Sequence, residues 1–325
     1  MDRRAVIHSI GAGAAMAAAP AARSQARYPS KPITMVVAFG PGTGSDTVAR
    51  MLAEPMRAVL GVPVLIENRL GASGIIGTEY VARAAPDGYT LTLGSSSSLG
   101  TTPVLNPTAK YRVERDFSFI GGVAKTDYLF FTHTLPGAPR TLAELVERLK
   151  TSHGTFGSAG IGTITHLGTE VMLDRVGAKA THAPYKGSGA VVADVAAGHL
   201  LFACDSPAAT QQLIRGGRLR PLASTGPKRL ESLPEVPTMI ESGYPDFQVI
   251  AWWGIAAPAG TPPEAIRVLG DALAKAVSSA EVRQKLKNID IEPMLMDPPT
   301  FAAFVQKETP FWADFIKRTG IKLEM

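Results

Sequence analysis

An apolar run, a turn of small residues and an amphipathic helix follow one another twice in this chain, an order that suits a parallel α/β sheet and few other folds. The first copy is Ile33-Thr-Met-Val-Val-Ala38, then Phe39-Gly-Pro-Gly-Thr-Gly-Ser-Asp46. It leads into a helix predicted from about Ser45 to Leu60, with Val48, Met51, Leu52, Met56 and Leu60 on one face. The second turn is Gly157-Ser-Ala-Gly-Ile-Gly-Thr-Ile-Thr-His166, before a helix from about Thr165 to Val176. Each turn presents backbone N–H groups and hydroxyls at a helix N-terminus, where unpaired donors and the macrodipole favour an anion. Two such turns in separate halves point to a clamp. Thr43 and Asp46 stand three apart, the spacing of a capping box that starts the first helix.

The alternation continues through strand Val64 to Glu67, a helix from about Gly74 to Ala84 and strand Thr90 to Gly94. The serine run Ser95 to Ser98 then lies just past a strand's carboxyl end, where open α/β sheets bind ligands, and faces the same crevice as the first turn. Phe117 to Thr134 reads as two extended segments around Lys125-Thr-Asp127, and Thr141-Leu-Ala-Glu144 opens a helix to about Lys150. After the second glycine turn come Thr181 to Tyr185, a helix over Ser188 to Ala197, strand Leu200 to Cys204, a helix over Pro207 to Gly216 and strand Arg220 to Ser224. This block has its own alternation and is expected to form a second domain. Phe247 to Trp253 reads as extended; helices follow from Thr261-Pro-Pro-Glu264 to about Ser279, around Ala280 to Lys287, and from Pro299 to Thr319. An apolar fraction of 45% over 325 residues supplies two cores.

The N-terminus sets the expected compartment. Arg3-Arg4 precedes an alanine-rich apolar run from Ala5 to Ala22 and the small-x-Ala signal Ser24-Gln-Ala26, the pattern of an export peptide over residues 1–26, with paired arginines that permit a twin-arginine route. Its removal lowers the formal charge from +5 to +3. The basic residues are scattered and not interleaved with aromatics, which argues against nucleic acid. The single cysteine, Cys204, excludes an intrachain disulfide and a multi-cysteine zinc site, and ends an apolar run that predicts burial.

No histidine pair has the spacing of a zinc helix, and neither a Gly-x-Ser-x-Gly elbow nor a Gly-x-x-x-x-Gly-Lys-Ser/Thr loop is present, so no metal, no cofactor and no catalytic residue is expected. A dinucleotide-binding oxidoreductase is the alternative. Gly40-Pro-Gly42 follows a strand, opens a helix and precedes Glu67 by 25 residues, near the spacing of a ribose-binding acid. Against it, Ser45 replaces the third glycine and Asp46 sets a negative charge where a pyrophosphate would rest. A scaffold or sensory protein without a ligand is a third class.

Motifs in fixed order carry a family resemblance: Tyr28-Pro-Ser-Lys-Pro-Ile33, Phe39-Gly-Pro-Gly42 with Asp46, Glu67-Asn-Arg69, Ala84-Ala-Pro-Asp-Gly-Tyr89, His182-Ala-Pro-Tyr-Lys-Gly187, Leu233-Pro-Glu-Val-Pro-Thr238 and Ala257-Pro-Ala-Gly-Thr-Pro262. From about Tyr28 to Ile321 the chain resembles the Bug, or tripartite tricarboxylate transporter receptor, family of periplasmic solute-binding proteins. The resemblance implies an α/β, two-domain periplasmic-binding-protein fold of type II, a Venus flytrap with crossing hinge strands. One domain would hold residues 27–126 plus 225–325, and the other, inserted, residues 127–224. It implies a non-enzymatic, monomeric periplasmic receptor that closes on a small carboxylate (di- or tricarboxylate, aromatic acid or amino acid) for membrane permease subunits or a sensor protein.

The resemblance also implies how the ligand is held, pinched by neutral donors of the two turns. The matching positions are Phe39, Gly40, Gly42, Thr43, Ser45 and Asp46 on one side and Ser158, Ala159, Gly162, Thr163 and Thr165 on the other. Where the family often has a Gly-Gly pair, this chain has Gly42-Thr43-Gly44. Ser95, Ser96, His166, Tyr185 and Asp205 would form the variable wall. Asp46 suits either a helix cap or a ligand ammonium, Asp205 a ligand contact or a turn, and Tyr185 and Trp252 core packing as readily as ligand stacking.

Overall fold

The computed structural model describes residues 28–106, 108–247 and 249–320; the segment expected as an export peptide lies outside them. Strand β1 (Ile33–Val37) passes through the first glycine turn into α1 (Gly44–Leu60), followed by β2 (Val64–Asn68), a 3-10 turn at Ala72–Gly74, α2 (Ile75–Ala82) and β3 (Thr90–Ser95). A π-helical turn, Ser96–Thr101, leads to α3 (Thr102–Leu105), α4 (Val113–Asp116) and the long strand β4 (Phe117–Asp127). Then come β5 (Leu129–His133), α5 (Leu142–Thr151), β6 (Thr155–Ser158), α6 (Ile164–Val176), β7 (Thr181–Pro184), α7 (Ser188–Ala196), β8 (Phe202–Asp205), α8 (Pro207–Arg215) and β9 (Leu219–Ser224). The chain closes with β10 (Ile250–Pro258), α9 (Pro263–Ser278), α10 (Ala280–Lys287), β11 (Glu292–Met296) and α11 (Pro298–Thr319).

These strands form two sheets, of order β11-β4-β10-β3-β1-β2 and β7-β6-β8-β5-β9. Both begin as parallel α/β sheets: β1 pairs in parallel with β2 and β3, and β6 with β7 and β8. Both are completed by antiparallel strands, β10 beside β3 and β5 beside β8. The fold is thus a two-lobed mixed α/β architecture. In β1 the side-chain period of two divides the core: Met35 and Val37 pack with Val48, Leu52 and Met56 of α1, and Val36 faces Ile75 and Val81 of α2 on the opposite side.

The caps form as their sequences dictate. The Thr43 hydroxyl accepts from the Asp46 N–H at α1, and Thr141 accepts from Glu144 at α5. At the C-terminal end of α1, Gly61 takes the left-handed conformation that ends a helix. Three expectations shift. The serine run winds into a π-helical turn capped by Ser95 and Ser98; β10 begins at Ile250 and extends to Pro258; and β11, unpredicted, pairs with β4.

The chain leaves the first sheet at Asp127, enters the second at Leu129 and returns after Ser224. The two passages are bonded to each other: Tyr128 N–H donates to Thr225 Oγ1 at 2.7 Å and Thr225 N–H to the Tyr128 carbonyl at 2.9 Å. Thr225 Oγ1 also donates to the Val249 carbonyl at 2.6 Å, so one hydroxyl ties together three segments at the waist.

Candidate ligand-binding cleft

The two glycine turns are one structure built twice. Thr43 and Thr163 cap α1 and α6 with φ/ψ of −72/161° and −73/162°, and each donates its hydroxyl to the carbonyl of the glycine three residues earlier. Gly42 and Gly162 have φ of 81° and 77°, a left-handed conformation that disfavours side chains. The Gly42 N–H donates to Asp46 Oδ2 at 3.0 Å, and the Gly162 N–H to His166 Nδ1 at 3.1 Å. The threonine that departs from the expected Gly-Gly pair is therefore the cap itself. Its counterpart Thr163 holds the same backbone position but makes no side-chain cap, its hydroxyl bonding Gly160 and Thr165 instead.

The turns face each other across a cleft between the lobes. Phe39, Thr43, Gly44 and Ser45 line it from the first turn and Ala159, Thr163 and Thr165 from the second. The π-helical turn adds Ser95, Ser96 and Ser97, and the starts of α7 and α8 add Ser188 and Ser206. Tyr128, Asp205, Ala251 and Trp253 complete the wall. The N-terminal ends of several helices thus converge on one space, and among the described residues no lysine, arginine or histidine lines it. The Gly44 and Ser45 N–H groups, in the first turn of α1, have no helical acceptor by geometry and are available to a ligand.

Two of the few buried polar side-chain atoms left without a partner among the described residues, Ser96 Oγ and Asp205 Oδ2, belong to this wall. Buried polar groups are otherwise hydrogen-bonded, so a pair of orphans in one cleft marks a place where a ligand supplies the partners. Burial pushes the Asp205 carboxyl up to about 6, against the Ser206 N–H and the Ser188 and Ser206 hydroxyls that hold it down. Ser206 N–H donates to Oδ1 at 2.7 Å, and Oδ2 has no partner among the described residues. The cleft volume of about 50 Å³ exceeds several-fold the roughly 10–15 Å³ that one water requires, room for a few waters.

The remaining sequence-selected residues stand behind this wall. Asp46 is 4% exposed, and its oxygens accept from Arg50 Nε at 3.0 Å, Asn68 Nδ2 at 2.9 Å and the Gly42 N–H. Burial alone would raise its pKa, but Arg50, Asn68 and Gly42 together hold it below the usual carboxylate value. Gly40 and Gly42 shape the first turn. Ser158 exchanges hydrogen bonds with Gly160 and lies 2.7 Å from His182 Nε2, and Gly162 accepts from Thr101 Oγ1 at 2.6 Å. His166 stacks on His182 at 3.9 Å between ring centroids, with Phe156 beyond. Tyr185 is not brought to the cleft: its hydroxyl donates to Asp194, and its ring packs with Val191 and Leu200 of the second lobe. Cys204 is buried, as its apolar run predicts.

Tyr128, Ser188, Ser206, Ala251 and Trp253 were not selected by sequence. Trp253 pairs with Ser95 across the β3–β10 ladder and donates Nε1 to Ser45 Oγ at 2.9 Å. A Cβ on Gly44 would meet the Trp253 ring at 2.7 Å, so this position needs glycine for close approach. The dinucleotide alternative finds no support. The Gly42 N–H that a pyrophosphate would use is taken by Asp46, and Glu67 pairs with Arg69 at 2.6 Å.

Two α/β lobes joined by hydrogen-bonded crossings, with helix N-termini meeting in an interlobe cleft, define the class of solute-binding receptors. The chain belongs to the tripartite tricarboxylate transporter family receptor group, whose profile matches residues 48–321. It is 35% identical to the protein BugT of Bordetella pertussis over 327 residues, covering 100% of both chains. The solved structure of the periplasmic binding protein BugD superposes with a TM-score of 0.85 at 34% identity, covering 91% of this chain and 99% of that one. MatC from Rhodopseudomonas palustris, with bound malate, gives a TM-score of 0.83 at 30% identity, covering 89% and 100%.

Proposed function

We propose that the protein is a periplasmic receptor that captures a small carboxylate by closing its two lobes and presents it, chemically unchanged, to membrane permease subunits. The observation that carries this reading is the cleft, where hydroxyls and helix N-termini converge around two orphaned polar atoms and no cationic side chain among the described residues lines the wall. A carboxylate fits such a site, because charge-assisted bonds from neutral donors are roughly twice as strong as neutral pairs and the helix dipoles favour the charge. Ser45 and Ser96 are the hydroxyl donors of this reading, with the Gly44 and Ser45 N–H groups, whereas the Thr163 and Thr165 protons are spent on the Gly160 carbonyl and on Thr163. Asp46 and His166 brace the two turns. Malate in MatC supports the ligand class.

The lobes in this reading are residues 27–126 plus 225–325 and residues 127–224, turning about the Tyr128–Thr225 pair, as hinge closure of binding proteins requires. Removal of an export peptide over residues 1–26 would deliver the receptor to the periplasm. Thermal unfolding of residues 27–325 against mono-, di- and tricarboxylates, acidic amino acids and a nicotinamide dinucleotide tests the reading. A ligand at 100 times its Kd adds about 2.7 kcal/mol, a clear upward shift in Tm. A shift with carboxylates supports the receptor; a shift with the dinucleotide alone overturns it.

A further inference from the structure

Asp205 gives the cleft a property that hydroxyls and helix ends do not. It ends β8, is 3% exposed, and keeps Oδ2 without a partner in the wall of the cleft while Oδ1 is held by the Ser206 N–H. No cation faces it. Leu129 pairs with it from β5, α6 presents Thr163 and Thr165, α7 presents Ser188 and α8 presents Ser206. The titratable groups nearby are the Tyr128 phenol and the Cys204 thiol, both raised well above their ordinary values by burial and the proximity of Asp205. His166 of α6 turns to Gly162 and Glu170, Asp194 of α7 is bound to Tyr185, and Arg215 is the last residue of α8. An ionised Asp205 would therefore meet a bound carboxylate with nothing to separate the two charges.

We propose that Asp205 is the proton site of the cleft: it is neutral when the cleft is filled, donates from Oδ2 to a ligand carboxylate, and makes capture take up one proton from solvent. The proposal rests on the receptor reading and assigns the ligand class more narrowly, to carboxylates bound together with a proton. Burial already brings the empty site's carboxyl to about 6, so a nearby ligand charge needs to raise it only further. One proton linked to binding makes affinity fall about tenfold per pH unit above pH 6, where ligand carboxyls of pKa around 4 are already ionised.

The test is calorimetric titration of malate, citrate, benzoate and L-aspartate into wild type and Asp205→Asn between pH 5 and 8.5. The 13C carboxyl signal of Asp205, identified by its loss in the variant, is followed in the unliganded protein. The expected result is a carboxyl midpoint near pH 6, wild-type affinity falling about tenfold per pH unit above it, and a flat profile in Asp205→Asn, whose amide donates without titrating. A carboxyl midpoint at or below 4, or wild-type affinity independent of pH, overturns the proposal and leaves the receptor reading intact. So does tight, pH-independent binding of L-aspartate that Asp205→Asn abolishes, because the ionised carboxyl would then be holding an ammonium. No binding of any probe at any pH by either protein refutes the receptor reading and this proposal with it.

Discussion

Asp46 and His166 hold the same place in two copies of one turn, each accepting the N–H of the glycine four residues before it, at 3.0 and 3.1 Å. One lobe uses a carboxylate braced by Arg50 and Asn68, the other an imidazole stacked on His182. The shared geometry, and not the shared side chain, is what sets the donors toward the cleft. Replacing Asp46 with alanine leaves Gly42 and Asn68 without their acceptor, and hydrogen bonds to charged groups are worth about 1.5–3 kcal/mol. Asp46→Ala is expected to lose about 2–3 kcal/mol in urea unfolding, with Asp46→Asn losing less; a loss under 0.5 kcal/mol in the alanine variant would show that Asp46 does not brace the turn.

His182 supplies a pH-dependent share of stability. Burial, assisted by His166, lowers its pKa to about 3. The unfolded ring titrates near 6.5, so between about pH 6.5 and 3 the unfolded chain binds the extra proton and stability falls as pH falls. Relative to His182→Gln, the wild type should lose up to ~1.4 kcal/mol per pH unit across that window, less because the ring is only partly buried. Parallel stability curves for the two proteins from pH 7 to 4 would contradict this.

Asp127 acts in the opposite direction. Its carboxyl packs against Gly226 at the waist, and burial, with Glu292 adding, pushes it up to about 6. The folded state then holds a proton that the unfolded state releases near 4, so this contribution is present at acid pH and is lost as pH rises through 6. Asp127→Asn is expected to stabilise the protein by about 1–2 kcal/mol at pH 8 and to leave it unchanged near pH 4. Equal effects at the two pH values would refute the assignment.

Two hydrogen bonds cross the cleft without a ligand: Ile164 N–H to Ser97 Oγ at 3.0 Å and Thr101 Oγ1 to the Gly162 carbonyl at 2.6 Å. Each is worth about 0.5–1.5 kcal/mol. Ser97→Ala with Thr101→Val should shift the lobes toward an open form by roughly 5- to 100-fold, seen in solution scattering as a larger radius of gyration. An unchanged scattering profile would mean that these bonds do not hold the lobes together.

Local chemistry made much of this fold legible. The period of the apolar residues, the Thr43–Asp46 and Thr141–Glu144 caps and the two glycine turns are set by neighbours within four residues, and α1, α5 and α6 form where they predict. What depends on register between distant strands was not legible. Trp252 and Trp253 are indistinguishable in sequence, yet alternation along β10 sends Trp252 into the core with Phe301 and Trp253 to Ser45 and the cleft. Tyr128 and Ser206 reach the cleft only because β4 passes into β5 and α8 starts beside β8. Tyr185 failed the other way: its place after β7 suited a cleft residue, but Asp194 one helix later captures its hydroxyl.

Ser96 isolates the central claim, because its buried hydroxyl has no partner among the described residues and sits in the cleft wall. Removing that oxygen costs the unliganded fold no hydrogen bond, so Ser96→Ala should be as stable as wild type or slightly more so. The most direct measurement is the calorimetric affinity of Ser96→Ala for the carboxylate that raises the wild-type Tm most. The account predicts a loss of about 10- to 100-fold, as for a charge-assisted bond, at unchanged stability. Unchanged affinity would contradict capture of the carboxylate in this cleft.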